Sequence, residues 1–175
     1  MVRRLPSYLF LCLFLLIFTS PAVAVLSGYE VQNEASGDPD YTAGLEVFED
    51  EDWQGVIDNM AKVIERRPWH DNAYSLMGFA YRKLGNYPRS LEHYQKALEL
   101  NPHHRGALAY LGETYLEMGR LAQANEMLER LEVECKRIAV EPSGDSWKAG
   151  CEEWQELQAA IAAYPEQTAP KTTAD

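Results

Sequence analysis

Past its first two dozen residues the chain holds two cysteines, Cys135 and Cys151, and no other pair has more chemistry within reach. In an exported protein an even number of thiols points to a disulfide. A redox-active pair would instead be spaced Cys-x-x-Cys at a helix start, and that spacing is absent. A structural bridge is the first reading. The alternative is a thiol-active accessory role, in which the pair serves oxidative maturation of exported partners. The histidines offer less. Trp69-His70 and His103-His104 follow Pro68 and Pro102, but no helical i, i+4 pair and no Cys/His spacing accompanies them, so no metal site is expected. The acidic run from Glu49 to Asp52 lacks the spaced ligands of an EF-hand loop and reads as a solvated turn. Carboxylates are plentiful, yet none is backed by a nucleophile and base, and no glycine loop is shaped to cradle phosphate. Neither a catalytic residue nor a cofactor is expected.

The amino terminus is a separate object. Arg3 and Arg4 precede the apolar run from Leu9 to Phe18, and Ala22-Val23-Ala24 supplies small residues for cleavage. The run is shorter than the roughly 20 residues that span a bilayer, so residues 1–24 are read as a secretory signal. The protein is then exported. The periplasm is the favoured compartment, with secretion or anchoring by an uncleaved signal as alternatives. Cys12 follows Leu11 rather than a small residue, which argues against a lipoprotein. Losing Arg3 and Arg4 takes the formal charge from −11 to −13 (−11 − 2). That excess of acid argues against nucleic acid and anionic membranes as partners once the signal is gone.

The remaining length suits one domain, and its apolar residues recur with a helical period. Tyr74, Met77, Gly78 and Tyr81 form one stripe, with Asp71 as the expected cap and Gly85 as the expected stop. Leu91, Tyr94 and Leu98 form the next stripe, and Pro102 ends it. The pattern then repeats. Gly44, Gly78 and Gly112 are 34 residues apart (78−44, 112−78), as are Trp53, Tyr87 and Leu121, and Val56, Ser90 and Ala124. Tyr81 pairs with Tyr115, Gly85 with Gly119, and Pro68 with Pro102. Asp145 or Ser146 is expected to cap a last helix whose stripe is Trp147, Cys151, Trp154, Leu157, Ile161 and Tyr164.

A shared 34-residue register of this composition resembles the tetratricopeptide repeat family. Tyr74, Met77, Gly78, Tyr81, Ser90, Tyr94, Ala97 and Pro102 stand at the signature positions of the central copy. The first copy departs from the pattern at Asp40, Ala43 and Val47, and the third has Lys136 where its closing proline would fall. The resemblance implies an all-α fold, a right-handed α-α superhelix of three helix pairs, about 37–70, 71–104 and 105–138. A capping helix over 146–164 covers the last pair, a leader spans 25–36, and a disordered tail spans 165–175. It also implies a non-catalytic scaffold or assembly factor whose first helices line a concave groove for an extended peptide or a partner helix. The lining positions carry over to Tyr41, Leu45 and Phe48, to Asn72, Ser75, Phe79 and Arg82, and to Ala109, Glu113 and Leu116. Tyr41 and Leu45 do not match the carboxylate clamp that chaperone-binding members use, so a chaperone C-terminus is not the expected ligand. Phe79 and Arg82 are the expected anchors for a protein or peptide partner.

Overall fold

The first five helices begin where a side chain accepts from the first unpaired amides. In the computed structural model, which describes residues 37–139 and 146–164, helix α1 spans Pro39–Glu49. The Asp38 carboxylate caps it, accepting from the amides of Asp40 (3.0 Å) and Tyr41 (3.2 Å). Asp52 caps α2, Trp53–Arg66, and Asn86 caps α4, Tyr87–Leu100. Helices α3, Asp71–Lys83, and α5, Arg105–Glu117, are capped by histidines, His70 and His104. The expected cap Asp71 is instead the first helical residue. Its carboxylate accepts from the Asn72 amide (3.0 Å) and, across the junction, from the Asn101 side chain (2.6 Å).

Gly85 closes α3 as its position predicted. Its φ of +73° is open to glycine at little cost, and Gly119 repeats the turn at +74° after α5. Each turn carries the paired bonds of a Schellman motif, Asn86 N–H to Tyr81 O (2.8 Å) with Gly85 N–H to Arg82 O (2.8 Å), and likewise after α5.

Helix α6, Leu121–Ile138, completes the third hairpin, and α7, Glu152–Ala163, follows. The fold is all-α, a right-handed α-α superhelix of three helix pairs with a capping helix. The odd-numbered helices form one layer, in which α3 touches α5 and α5 packs broadly on α7. Among the described residues, contacts of that extent do not join α2, α4 and α6 to one another. The odd-numbered row is therefore the crowded, inner side of the curve.

The core runs through the hairpins as one cluster that includes Val56, Met60, Met77, Tyr94, Leu108, Leu131 and Leu157. The register glycines sit at the closest approaches. A Cβ on Gly78 would lie 2.8 Å from the Tyr94 ring, and one on Gly112 would lie 2.6 Å from Leu157 of the capping helix.

The last helix departs from the uninterrupted run expected from Trp147 onward. Ser146–Gly150 is a short 3-10 segment, and the α-helix starts only after Cys151. Cys151, Trp154 and Leu157 of the expected stripe are buried, and Ile161 and Tyr164 are half-buried. The expected signal, leader and tail, and residues 140–145, lie outside the described residues.

Cys135, near the end of α6, is joined to Cys151 in a disulfide, with Cα atoms 5.9 Å apart and a sequence separation of 16. The two cysteines are 2% and 1% exposed. Replacing both with serine is expected to lower the unfolding free energy by about 3 kcal/mol, the loop-closure entropy of a ring of this size. Urea denaturation of the oxidised protein against the double variant measures it.

Candidate binding face along the first helices

The positions that the family pattern assigns to a groove all belong to the inner row, on α1, α3 and α5. Few of them stand open. Tyr41, Phe48, Ser75, Ala109 and Leu116 are buried, while Leu45, Asn72 and Glu113 are half-buried. The two expected anchors are among the most enclosed, Phe79 at 6% and Arg82 at 7% exposure.

Phe79 is wedged between repeats. Its ring meets Phe48 (5.0 Å between centroids) and Trp53 (5.6 Å) of the first hairpin and Tyr110 (5.0 Å) of the third. Tyr41 is similarly committed, stacking on His70 at 5.0 Å. Aromatic side chains so placed join three hairpins into one body, and truncation would open a cavity between them. The signal that points to this role is local: Phe79 follows the packing glycine Gly78, so its ring emerges where the hairpins converge.

Arg82 does not form a free basic ridge. Its guanidinium lies over the faces of Phe79 (5.0 Å) and Tyr110 (5.7 Å) and pairs with Glu113 and with Glu117 (3.4 Å). Burial works against its charge, but the Tyr94 hydroxyl, Glu113 and Glu117 outweigh that and raise its pKa. Lys83 remains exposed, with its ammonium above Trp53 (5.7 Å) and Phe79 (5.4 Å).

The inner face is acidic toward its capped end. Glu113 of α5 meets Glu153 and Glu156 of α7 around Tyr110. Burial and the neighbouring Glu113, Glu152 and Glu153 raise the Glu156 pKa, the mark of carboxylates crowded together. Arg105 reaches Glu153 at 3.4 Å, and Arg82 is shared by two acids. Glu152, Glu153 and Glu156 lie off the apolar stripe of the last helix, and their side of it continues the row of first helices. Among the described residues no group of three or more His, Cys, Asp or Glu could hold a metal ion, and no helix is long and apolar enough to cross a membrane.

Comparison with known proteins agrees with this architecture. Tetratricopeptide repeat family models match residues 72–104 and 93–124. No curated protein matches the chain in sequence. Among solved structures, the TPR2B domain of yeast Sti1 in complex with pHsp70 is similar at a TM-score of 0.60 and 21% identity, over 70% of this chain and 93% of that one. The type III secretion chaperone SycD of Yersinia enterocolitica, in complex with a peptide of the translocator YopD, is similar at 0.59 and 17%, over 77% and 100%. The TPR2AB domain of yeast Sti1 in complex with pHSP90 is similar at 0.62 and 18%, over 81% and 52%. With its 34-residue register, helical hairpins and glycine approaches, the chain carries tetratricopeptide repeats, matched by the family models within residues 72–124.

Proposed function

We propose that the protein is a non-catalytic interaction scaffold, holding an extended peptide or a partner helix against the inner face of α1, α3, α5 and α7. The observation that carries this reading is the row itself. The capping helix packs on α5 as a further first helix would, so the face continues past the third repeat. The similar domain in complex with pHsp70 and the similar chaperone in complex with a translocator peptide support it. With Phe79 and Arg82 enclosed, the side chains that reach a ligand are Leu45, Asn72, Tyr110, Glu113, Glu117 and Glu156. Their charge favours a segment bearing lysine or arginine.

Export to the periplasm is part of the same proposal, and the cysteine pair is read as structural. Its burial supports that reading, since a thiol that acts on partners must be able to reach them. Ellman titration of the native, unreduced protein is expected to find neither thiol.

The test of the scaffold is a pull-down with the signal-free protein, followed by calorimetry on the captured segment. Glu156→Gln, which leaves the partners of Arg82 in place, is expected to weaken binding about threefold and to flatten its salt dependence, with the melting temperature within a few degrees of wild type. Unchanged affinity at every salt concentration would remove the inner face from the interaction.

A further inference from the structure

The 34-residue register places a histidine at the same point of both junctions between repeats, His70 before α3 and His104 before α5 (104−70). Each does what Asp and Asn do at the other caps. Nδ1 of His70 accepts from the Ala73 amide at 3.2 Å, and Nδ1 of His104 accepts from the Ala107 amide at 3.1 Å. Both rings are enclosed, at 7% and 4% exposure, and both turn toward the first turn of the preceding first helix. There His70 stacks on Tyr41, and His104 lies beside Asp71.

Accepting through Nδ1 requires the neutral imidazole with its proton on Nε2. An aspartate cap persists down to about pH 4, and an asparagine cap does not titrate. Imidazole is the capping acceptor that is lost near pH 6. Protonated Nδ1 would point a donor at a donor and set a cation on the positive end of the helix dipole.

We propose that His70 and His104 make the two repeat junctions acid-labile, so that the hold of both caps weakens as the pH falls below neutrality and the repeats loosen on one another.

The charges facing the two rings do not cancel this. His70 stacks on Tyr41 of α1, which itself feels Asp71 of α3 and Arg67 at the end of α2, and the nearby cap Asp38 of α1 is taken by Arg66 and Arg67. Around His104, Asp71 of α3 favours the cation, but it is held by neutral Asn101 from the end of α4. Arg105 of α5 pairs with Glu153 of α7, while Glu134 of α6 is taken by His103 and Arg137. Burial outweighs Asp71 and lowers the His104 pKa to about 4. The opened chain, with its ordinary histidine pKa of about 6.5, takes up a proton that the closed form refuses. Stability is therefore complete above about pH 6.5 and is lost as the pH falls toward 4. His93, between Tyr74 and Tyr81 and also lowered by burial, adds in the same direction. Asp38, held at about 2, contributes only in a lower window.

Urea unfolding from about pH 7.5 to 4.5 tests the proposal on wild type, on H70N/H104N and on His93→Gln. In wild type the folding constant should fall by up to about tenfold per pH unit for each histidine below about pH 6.5. H70N/H104N keeps a capping oxygen but gives up the packing of two rings, so it should be less stable than wild type at neutral pH and yet lose most of that slope. His93→Gln should keep most of it. An H70N/H104N slope equal to that of wild type would overturn the proposal. A second measurement stands independently of the variant's folding. Nitrogen-15 NMR of the wild-type imidazoles at neutral pH should find Nε2–H tautomers at His70 and His104. Protons on Nδ1 at neutral pH would overturn the assignment.

Discussion

Gly78→Leu is expected to lower the unfolding free energy by at least about 3 kcal/mol, the upper end of what overpacking a core costs. The reason is the approach of α3 to α4. Even a Cβ at this position would lie 2.8 Å from Cδ1 and Cε1 of Tyr94, and leucine adds three further carbons in the same direction. The Tyr94 ring cannot give way, because it is fully buried. Backbone shifts would propagate into both neighbouring hairpins, so the broadened thermal transition of a loosened array is the expected signature. Gly78→Ala should lose less, since alanine recovers up to about 1 kcal/mol of helix propensity. Gly150→Ala serves as the control. No atom lies within 4 Å of its Cβ position, and its effect should stay within about 0.5 kcal/mol. Circular dichroism through a urea titration at neutral pH measures all three. A Gly78→Leu midpoint equal to that of wild type would mean that α3 does not meet α4 on this face.

Phe79→Ala is expected to cost about 3–5 kcal/mol, the range for removing a buried aromatic ring from a core. The ring touches Phe48, Trp53 and Tyr110, and so binds the first, second and third hairpins together. Its loss also strips the Arg82 guanidinium and the Lys83 ammonium of a face on which each rests. Phe79→Leu, which refills part of the volume, should recover a substantial share. Differential scanning calorimetry on the two variants gives the comparison. A melting temperature unchanged in Phe79→Ala would return Phe79 to the open face and make it a partner anchor again. Because this substitution disturbs the repeats themselves, it is the wrong probe of binding. The glutamates of the inner face, which lie at the rim of the packing, are the better one.

How much of this was legible beforehand differs by residue. The repeat register survived a degenerate first copy, because Gly44, Gly78 and Gly112 mark a steric requirement that each hairpin meets separately. Helix stops at Gly85 and Gly119 were legible for the same reason, since a positive φ strongly favours one residue type. The caps at His70 and His104 were not. Histidine is an uncommon cap and Asp71 a common one, and only the chain's path shows which of two adjacent acceptors faces the amides. The break at Gly150 was missed because the apolar spacing from Trp147 to Tyr164 fits a continuous helix.

By itself, the sequence determined the local and periodic features of this protein: seven helices in a 34-residue beat, their glycine approaches, and an acidic chain with two cysteines past its first segment. Each depends on residues close together in the chain or on a spacing repeated along it. Which side chains are open was decided by tertiary structure alone. A helical stripe names the face that packs on its own hairpin, but Phe79 and Arg82 lie off that stripe and are buried by other hairpins, with Glu113 and Tyr110 coming from the next repeat. The same holds for the acidic end of the face, since Glu113 and Glu156 meet only because the last helix takes the place of a further first helix. Curvature brings such residues together over distances that no periodicity in the sequence encodes.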